Sequence, residues 1–136
     1  MKTTRPIITR RRGFTLLEMT IVILVLVTLI STGLFVNTKM SEWKLGRSAS
    51  ETLRQVYSAQ RMFLADNPTR LVSSITATDV IPYMSGNATA LPTVKSLTGA
   101  SLGILVNVSP PVINAGSGVT YDPSGNNRDS LWDVGE

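Results

Sequence analysis

The sequence predicts an α+β protein in which one long N-terminal α-helix, membrane-spanning in its first half and amphipathic in its second, packs on a small antiparallel β-sheet. Three observations predict it. Residues 14–36 run apolar for a membrane's thickness with a single charge among them, Glu18. Apolar side chains then recur at spacings of four and three until Asn67-Pro68 stops the pattern. The last 69 residues are rich in Ser, Thr, Gly, Pro and Asn and contain three short strand-like segments.

Residues 1–13 form a basic leader. Lys2, Arg5, Arg10, Arg11 and Arg12 stand there with no acid, whereas the rest of the chain holds eight basic and nine acidic side chains. The net charge of +4 therefore belongs to the leader, and the body is close to neutral. Without an aromatic-rich basic patch, nucleic acid is not expected as a primary ligand. A chain of 136 residues suffices for one domain with an appendage. It has no cysteine, which excludes a disulfide.

Residues 14–38 are the transmembrane segment. As a helix, Phe14 to Val36 is roughly 35 Å long, against a hydrocarbon core of about 30 Å. A secretory signal core is shorter, about 7 to 15 residues, and is followed by a small-residue cleavage box that is missing here. The arginines before the run place the N-terminus in the cytoplasm and the residues after Lys39 outside.

A plain anchor leaves Glu18 unexplained. A charged side chain at the centre of a spanning helix costs roughly 2.5 to 3.5 kcal/mol, and less near an end. No Lys, Arg or His lies between Phe14 and Lys39 to pair with it. A cut after Gly13 would supply the missing cation, because it creates an α-amino group on Phe14, four residues from Glu18. The amine of one copy could equally meet the carboxylate of another and fix the axial register between neighbouring helices.

Arg12-Gly13-Phe14-Thr15-Leu16-Leu17-Glu18 resembles the class III signal of type IV prepilins and type II secretion pseudopilins. The resemblance is close over about the first 30 residues and loose over the general plan of the chain. It implies a pilin-like fold, removal of residues 1–13 by a membrane-embedded prepilin peptidase, and N-methylation of Phe14. It also implies that Glu18 neutralises the amine of an adjacent subunit during assembly, so that residues 14–38 become the filament core. Many members of the family carry a proline in the second half of the apolar run; here none stands between Pro6 and Pro68. Gly33, beside Ser31 and Thr32, is the one weak point, and both loosening on assembly and close helix packing stay open for it.

Residues 39–67 are the amphipathic half. Ala49, Leu53, Val56, Gln60 and Phe63 form its stripe, with Met40, Trp43, Tyr57 and Leu64 beside it. Lys44, Arg47, Glu51, Arg54 and Arg61 occupy other faces, Arg47 and Glu51 as an i,i+4 pair. Residues 68–136 are the small C-terminal β domain. A short helical turn capped by Thr78 or Asp79 is expected in "TDVIPYMSGN", and strands in "LGILVNV" (102–108), "GVTYD" (118–122) and "SLWDV" (130–134).

The stretch from Asp122 to Asp133 is a candidate calcium loop. Asp122, Ser124, Asn126, Ser130 and Asp133 fall at positions one, three, five, nine and twelve, with Asp129 near them, and calcium takes six to eight oxygens. Asn127 stands where calcium-binding helix–loop–helix modules have glycine, and the loop ends in Asp rather than Glu. The alternative is an ordinary polar hairpin loop with Asp122-Pro123-Ser124-Gly125 as a β-turn. The resemblance adds that major pseudopilins commonly carry a C-terminal calcium loop where pilins use a disulfide.

No enzyme is expected. With neither His nor Cys, the chain cannot build Ser-His-Asp or Cys-His arrangements or the usual zinc sites. The resemblance implies a structural subunit of a filament rooted in a bacterial inner membrane, with further copies of itself, the prepilin peptidase and an assembly platform as partners. The absent cysteines and small domain favour a type II secretion pseudopilin over a type IV pilus subunit for adhesion, twitching or DNA uptake. A signal-anchored periplasmic binding module that never polymerises is the reading from another class.

Overall fold

A computed structural model of the protein describes residues 13–135. Of the leader expected over residues 1–13, residues 1–12 lie outside the described residues. The fold is α+β: a long N-terminal helix, α1 (Leu16–Asp66), and small antiparallel sheets. The chain divides between Thr38 and Lys39 into two units, each containing part of α1.

In the first unit α1 starts two residues after Phe14. Thr15 is its cap, since its Oγ1 accepts a hydrogen bond from the Glu18 amide at 3.1 Å. Every described residue of this unit is exposed. The hydroxyls along it turn inward to the helix: Thr20 donates to the carbonyl of Leu17, Thr28 to Val25, Ser31 to Val27 and Thr32 to Thr28, all within 2.9 Å. Each polar side chain so engaged presents only its carbon atoms outward, which suits a helix in an apolar medium.

The second unit is built on the stripe. Ala49, Leu53, Val56, Ala59, Gln60 and Phe63 are buried, as the spacing requires. They meet Ile75 and Val80 from the segment after Pro68, then Val94, Ile104, Val106, Ile113 and Trp132. Gln60 is the polar member of the stripe. Its Nε2 donates to the carbonyls of Val106 and Val108, both at 2.8 Å, and so ties that extended stretch to the helix. The Arg47–Glu51 pair forms at 3.5 Å with both side chains largely exposed, so it adds little.

Beyond α1 the details depart from the pattern-based expectations. The short helix α2 (Ala77–Val80) is capped by Thr76, not by Thr78 or Asp79. Asp79 occupies the third helical position, and its Oδ2 accepts from the Thr76 amide at 2.9 Å and from the Thr76 hydroxyl at 2.7 Å. These two bonds, hydroxyl first, hold the Asp79 carboxyl below the usual carboxylate range. Pro82 opens a separate 3-10 turn, Ile81–Tyr83, rather than interrupting a helix.

The expected strand 102–108 is broken at Gly103 into pieces that pair with different partners, and it ends at Leu105, residues 106–108 not being strand. Strand β1 (Val94–Lys95) pairs antiparallel with β2 (Ser101–Leu102). Strand β3 (Ile104–Leu105) pairs with β4 (Val112–Gly116), which the sequence pattern does not reveal, and β4 pairs with β5 (Val119–Thr120). Ser117 and Gly118, with φ of 51° and 78°, make the two-residue turn between β4 and β5. Residues 130–134 are not a strand. Ser130 and Trp132 take φ of 58° and 67°, and the segment bends back onto α1.

Candidate functional site

Two places gather the residues singled out by the sequence, one in each unit. At the first, Gly13 and Phe14 precede α1 as exposed, non-helical backbone, open to a modifying enzyme. Phe14 is 76% exposed. Glu18 sits in the first turn of α1, where unpaired amide groups favour a negative charge. Thr15-Leu16-Leu17-Glu18 is thus also a capping sequence, a signal present in the pattern Thr-x-x-Glu. Glu18 has no ion-pair partner among the described residues. α1 is long and apolar enough to cross a membrane: its best 18-residue window has a mean hydropathy of 2.6 and is wholly unburied.

The second place is the loop from Asp122 to Gly135. It begins as the expected β-turn, with the Gly125 amide donating to the Asp122 carbonyl at 3.3 Å. The oxygens then serve the loop itself. Asp122 Oδ1 accepts from the Ser124 amide at 3.0 Å and from its hydroxyl at 2.7 Å. Ser124 Oγ accepts from the Asn126 amide, Asn126 Oδ1 from the Arg128 amide, and Asp129 Oδ1 from the Leu131 amide. Ser130 Oγ accepts from Arg54 Nη2 at 2.9 Å. No group of three carboxylates converges among the described residues.

Asp133 is the exception. Both its carboxylate oxygens are buried without a hydrogen-bond partner among the described residues. It lines a cavity of about 380 Å³ with Pro110, Pro111, Asp122 and Trp132. Burial pushes its carboxyl up, the negative charges of Asp129 and Asp122 add to this, and the amides of Gly135 and Ser130 oppose it without reaching hydrogen-bonding geometry. A raised acid favours the folded state fully below the ordinary carboxylate pKa, and that contribution is lost as pH rises through the folded value. Asp133→Asn, which keeps the shape and removes the charge, is therefore expected to raise the melting temperature at pH 7 in a chelating buffer. The gain should vanish below about pH 4, where the unfolded carboxyl is protonated as well. Thermal melts of both proteins across pH check this; a less stable Asn variant at pH 7 would mean that Asp133 has a cationic partner.

Two residues that are not among the candidate ligands hold this loop. Trp132 is buried, stands edge-on to Tyr121 at 5.3 Å, and donates its amide to the Gly46 carbonyl at 3.1 Å. Arg54, which the pattern assigns to a solvent face, donates through Nε to the Val134 carbonyl at 2.8 Å and through Nη2 to Ser130. Gly46 carries the signal that could have found it: a glycine inside an amphipathic helix costs about 1 kcal/mol unless something approaches closely.

The chain matches no known protein family, no curated protein and no solved structure. What its own fold defines is a class: an α+β unit mounted on the second part of a helix whose first part is long and apolar enough to cross a membrane.

Proposed function

We propose that the protein is the precursor of a type IV filament subunit, a pseudopilin that polymerises into a periplasmic rod for protein export. The observation that carries this reading is the conjunction at the start of α1. A helix with an exposed apolar surface on every side from Leu16 to Val36 carries its single carboxylate four residues behind an accessible Gly13-Phe14 bond. Such a surface is stable in lipid or against identical helices. Cleavage after Gly13 supplies the amine that Glu18 lacks, and residues 14–38 exchange lipid contacts for helix contacts as subunits leave the bilayer singly. The folded unit after Thr38 is then periplasmic, and the N-terminus of the precursor cytoplasmic.

Mass spectrometry of the N-terminus of protein from its native cells tests the proposal. The expected species begins with N-methyl-Phe14. Protein that retains the arginines before Gly13 would overturn it in favour of a plain anchored module. Abundant surface fibres of this subunit after shearing would move the reading from pseudopilus to pilus.

A further inference from the structure

We infer that Thr15 is a positioning residue for the cut after Gly13: its hydroxyl holds the start of α1 behind the Gly13–Phe14 bond and so keeps that bond in a form a peptidase can attack. This rests on the reading that the bond is cleaved in the precursor and that the apolar run lies in a membrane. Thr15 stands apart from the other hydroxyl residues of the first unit. Thr20, Thr28, Ser31, Thr32 and Thr38 all donate to a carbonyl three or four residues behind them, inside the helix. Thr15 Oγ1 instead accepts from the amide of Glu18, three residues ahead, at 3.1 Å. The Thr15 carbonyl accepts the first helical bond, from the Met19 amide at 3.2 Å, and residues 13–15 are non-helical.

The cap takes the one amide that could carry the helix further back. For α1 to grow by a residue, the Glu18 amide must donate to the Phe14 carbonyl, and for it to reach the scissile carbonyl, the Leu17 amide must donate to that of Gly13. Growth runs residue by residue, so while Thr15 Oγ1 holds the Glu18 amide, the second bond does not form either. The surroundings decide which way an uncapped start would move. The first four amides of a helix lack helical partners; unwinding inward would strand them deeper in an apolar medium, whereas growth outward carries them toward water. Loss of the Thr15 oxygen therefore lengthens α1 over Phe14 and Gly13, opposed by Gly13 as a poor helix former. In cleavage, water adds across the amide: its oxygen joins the carbonyl carbon of Gly13, a proton goes to the nitrogen of Phe14, and the products are the leader carboxylate and the Phe14 ammonium. Extended backbone beside the 76% exposed Phe14 leaves that carbonyl open to attack. A helical Gly13 carbonyl would be tied to Leu17 and covered by the next turn.

The test uses the full precursor in lipid vesicles with the purified prepilin peptidase of its own cells, and reads kcat/KM for release of residues 1–13. Thr15→Val keeps the shape of threonine and loses the acceptor, whereas Thr15→Ser keeps the acceptor. The expected result is a kcat/KM about fivefold lower for Thr15→Val, the shift that loss of one capping oxygen produces in a helix start, and a wild-type value for Thr15→Ser. In the valine variant the backbone chemical shifts of Gly13 and Phe14 should move toward helical values. Proline at the first helical position bars helix from the residue before it, so Leu16→Pro added to Thr15→Val should bring cleavage back without the hydroxyl. Slow cleavage of Thr15→Val with the helix start unmoved, or no recovery with the proline, overturns the inference, because the peptidase would then read the hydroxyl directly. A wild-type precursor that is left uncut sinks the reading of the function as well. A wild type cut after Gly13 whose Thr15→Val variant is cut as fast sinks the positioning role alone.

Discussion

Glu18→Ala and Glu18→Gln are both expected to insert normally, to be cut after Gly13, and to incorporate into the filament at least tenfold less than the wild type. The magnitudes separate the roles that Glu18 could play. As a first-turn acid it favours the start of α1 by about 0.3 to 1 kcal/mol, and Thr15 remains as the cap when it is lost. Removing the charge makes insertion easier, by up to roughly 3 kcal/mol at a helix centre and less near an end. Local helix stability and insertion therefore predict almost no defect. Leaving an amine unpaired in a helix-packed, water-free core costs about 3 to 5 kcal/mol, which is more than a hundredfold in an equilibrium constant. Glutamine keeps shape and polarity but not charge, so its failure assigns the effect to pairing. Counting sheared or detergent-extracted polymer against processed monomer measures it, and normal incorporation of Glu18→Gln would eliminate the register mechanism.

Gly46→Leu is expected to unfold the C-terminal segment of the second unit. A Cβ at position 46 would stand 2.8 Å from Trp132 Nε1 and 3.3 Å from Leu131 Cβ. Alanine there gains about 1 kcal/mol of helix propensity and loses about 1 to 3 kcal/mol to overpacking, so Gly46→Ala should be destabilised by no more than about 2 kcal/mol. Leucine has no room unless Trp132 leaves its seat. Expelling a buried tryptophan costs about 3 to 5 kcal/mol, a large share of the stability of a unit this small that has no disulfide. Tryptophan emission and near-ultraviolet dichroism of the full chain in detergent should show a red-shifted, exposed Trp132 in Gly46→Leu. A native spectrum would show that the close approach of α1 and the loop is not required.

The helix was legible because its evidence is spread over many residues. The stripe from Ala49 to Phe63 repeats often enough that no single substitution hides it, and the apolar run is as wide as a bilayer. The sheets were not legible in the same way. Four of the five strands among the described residues are two residues long, too short for an alternation to register. β4, "VINAG", carries asparagine and glycine because it ends in a bulge and a tight turn, where Gly116 takes a φ of 113°. "SLWDV" has the composition of a strand, but docking of Trp132 on Gly46 overrides that preference. In the loop, spacing marked the oxygens from Asp122 to Asp133 as candidates. It could not show that five of these residues turn to backbone amides or to Arg54 and leave Asp133 without a hydrogen-bond partner among the described residues.

Arg54 holds residues 76 and 80 positions further along the chain. Because those contacts come from residues so far along the chain, the second unit cannot close before Ser130 and Val134 are in place. A chain truncated before Ser130 should therefore stay sensitive to protease, a dependence on distant residues that sets when this unit acquires its resistance.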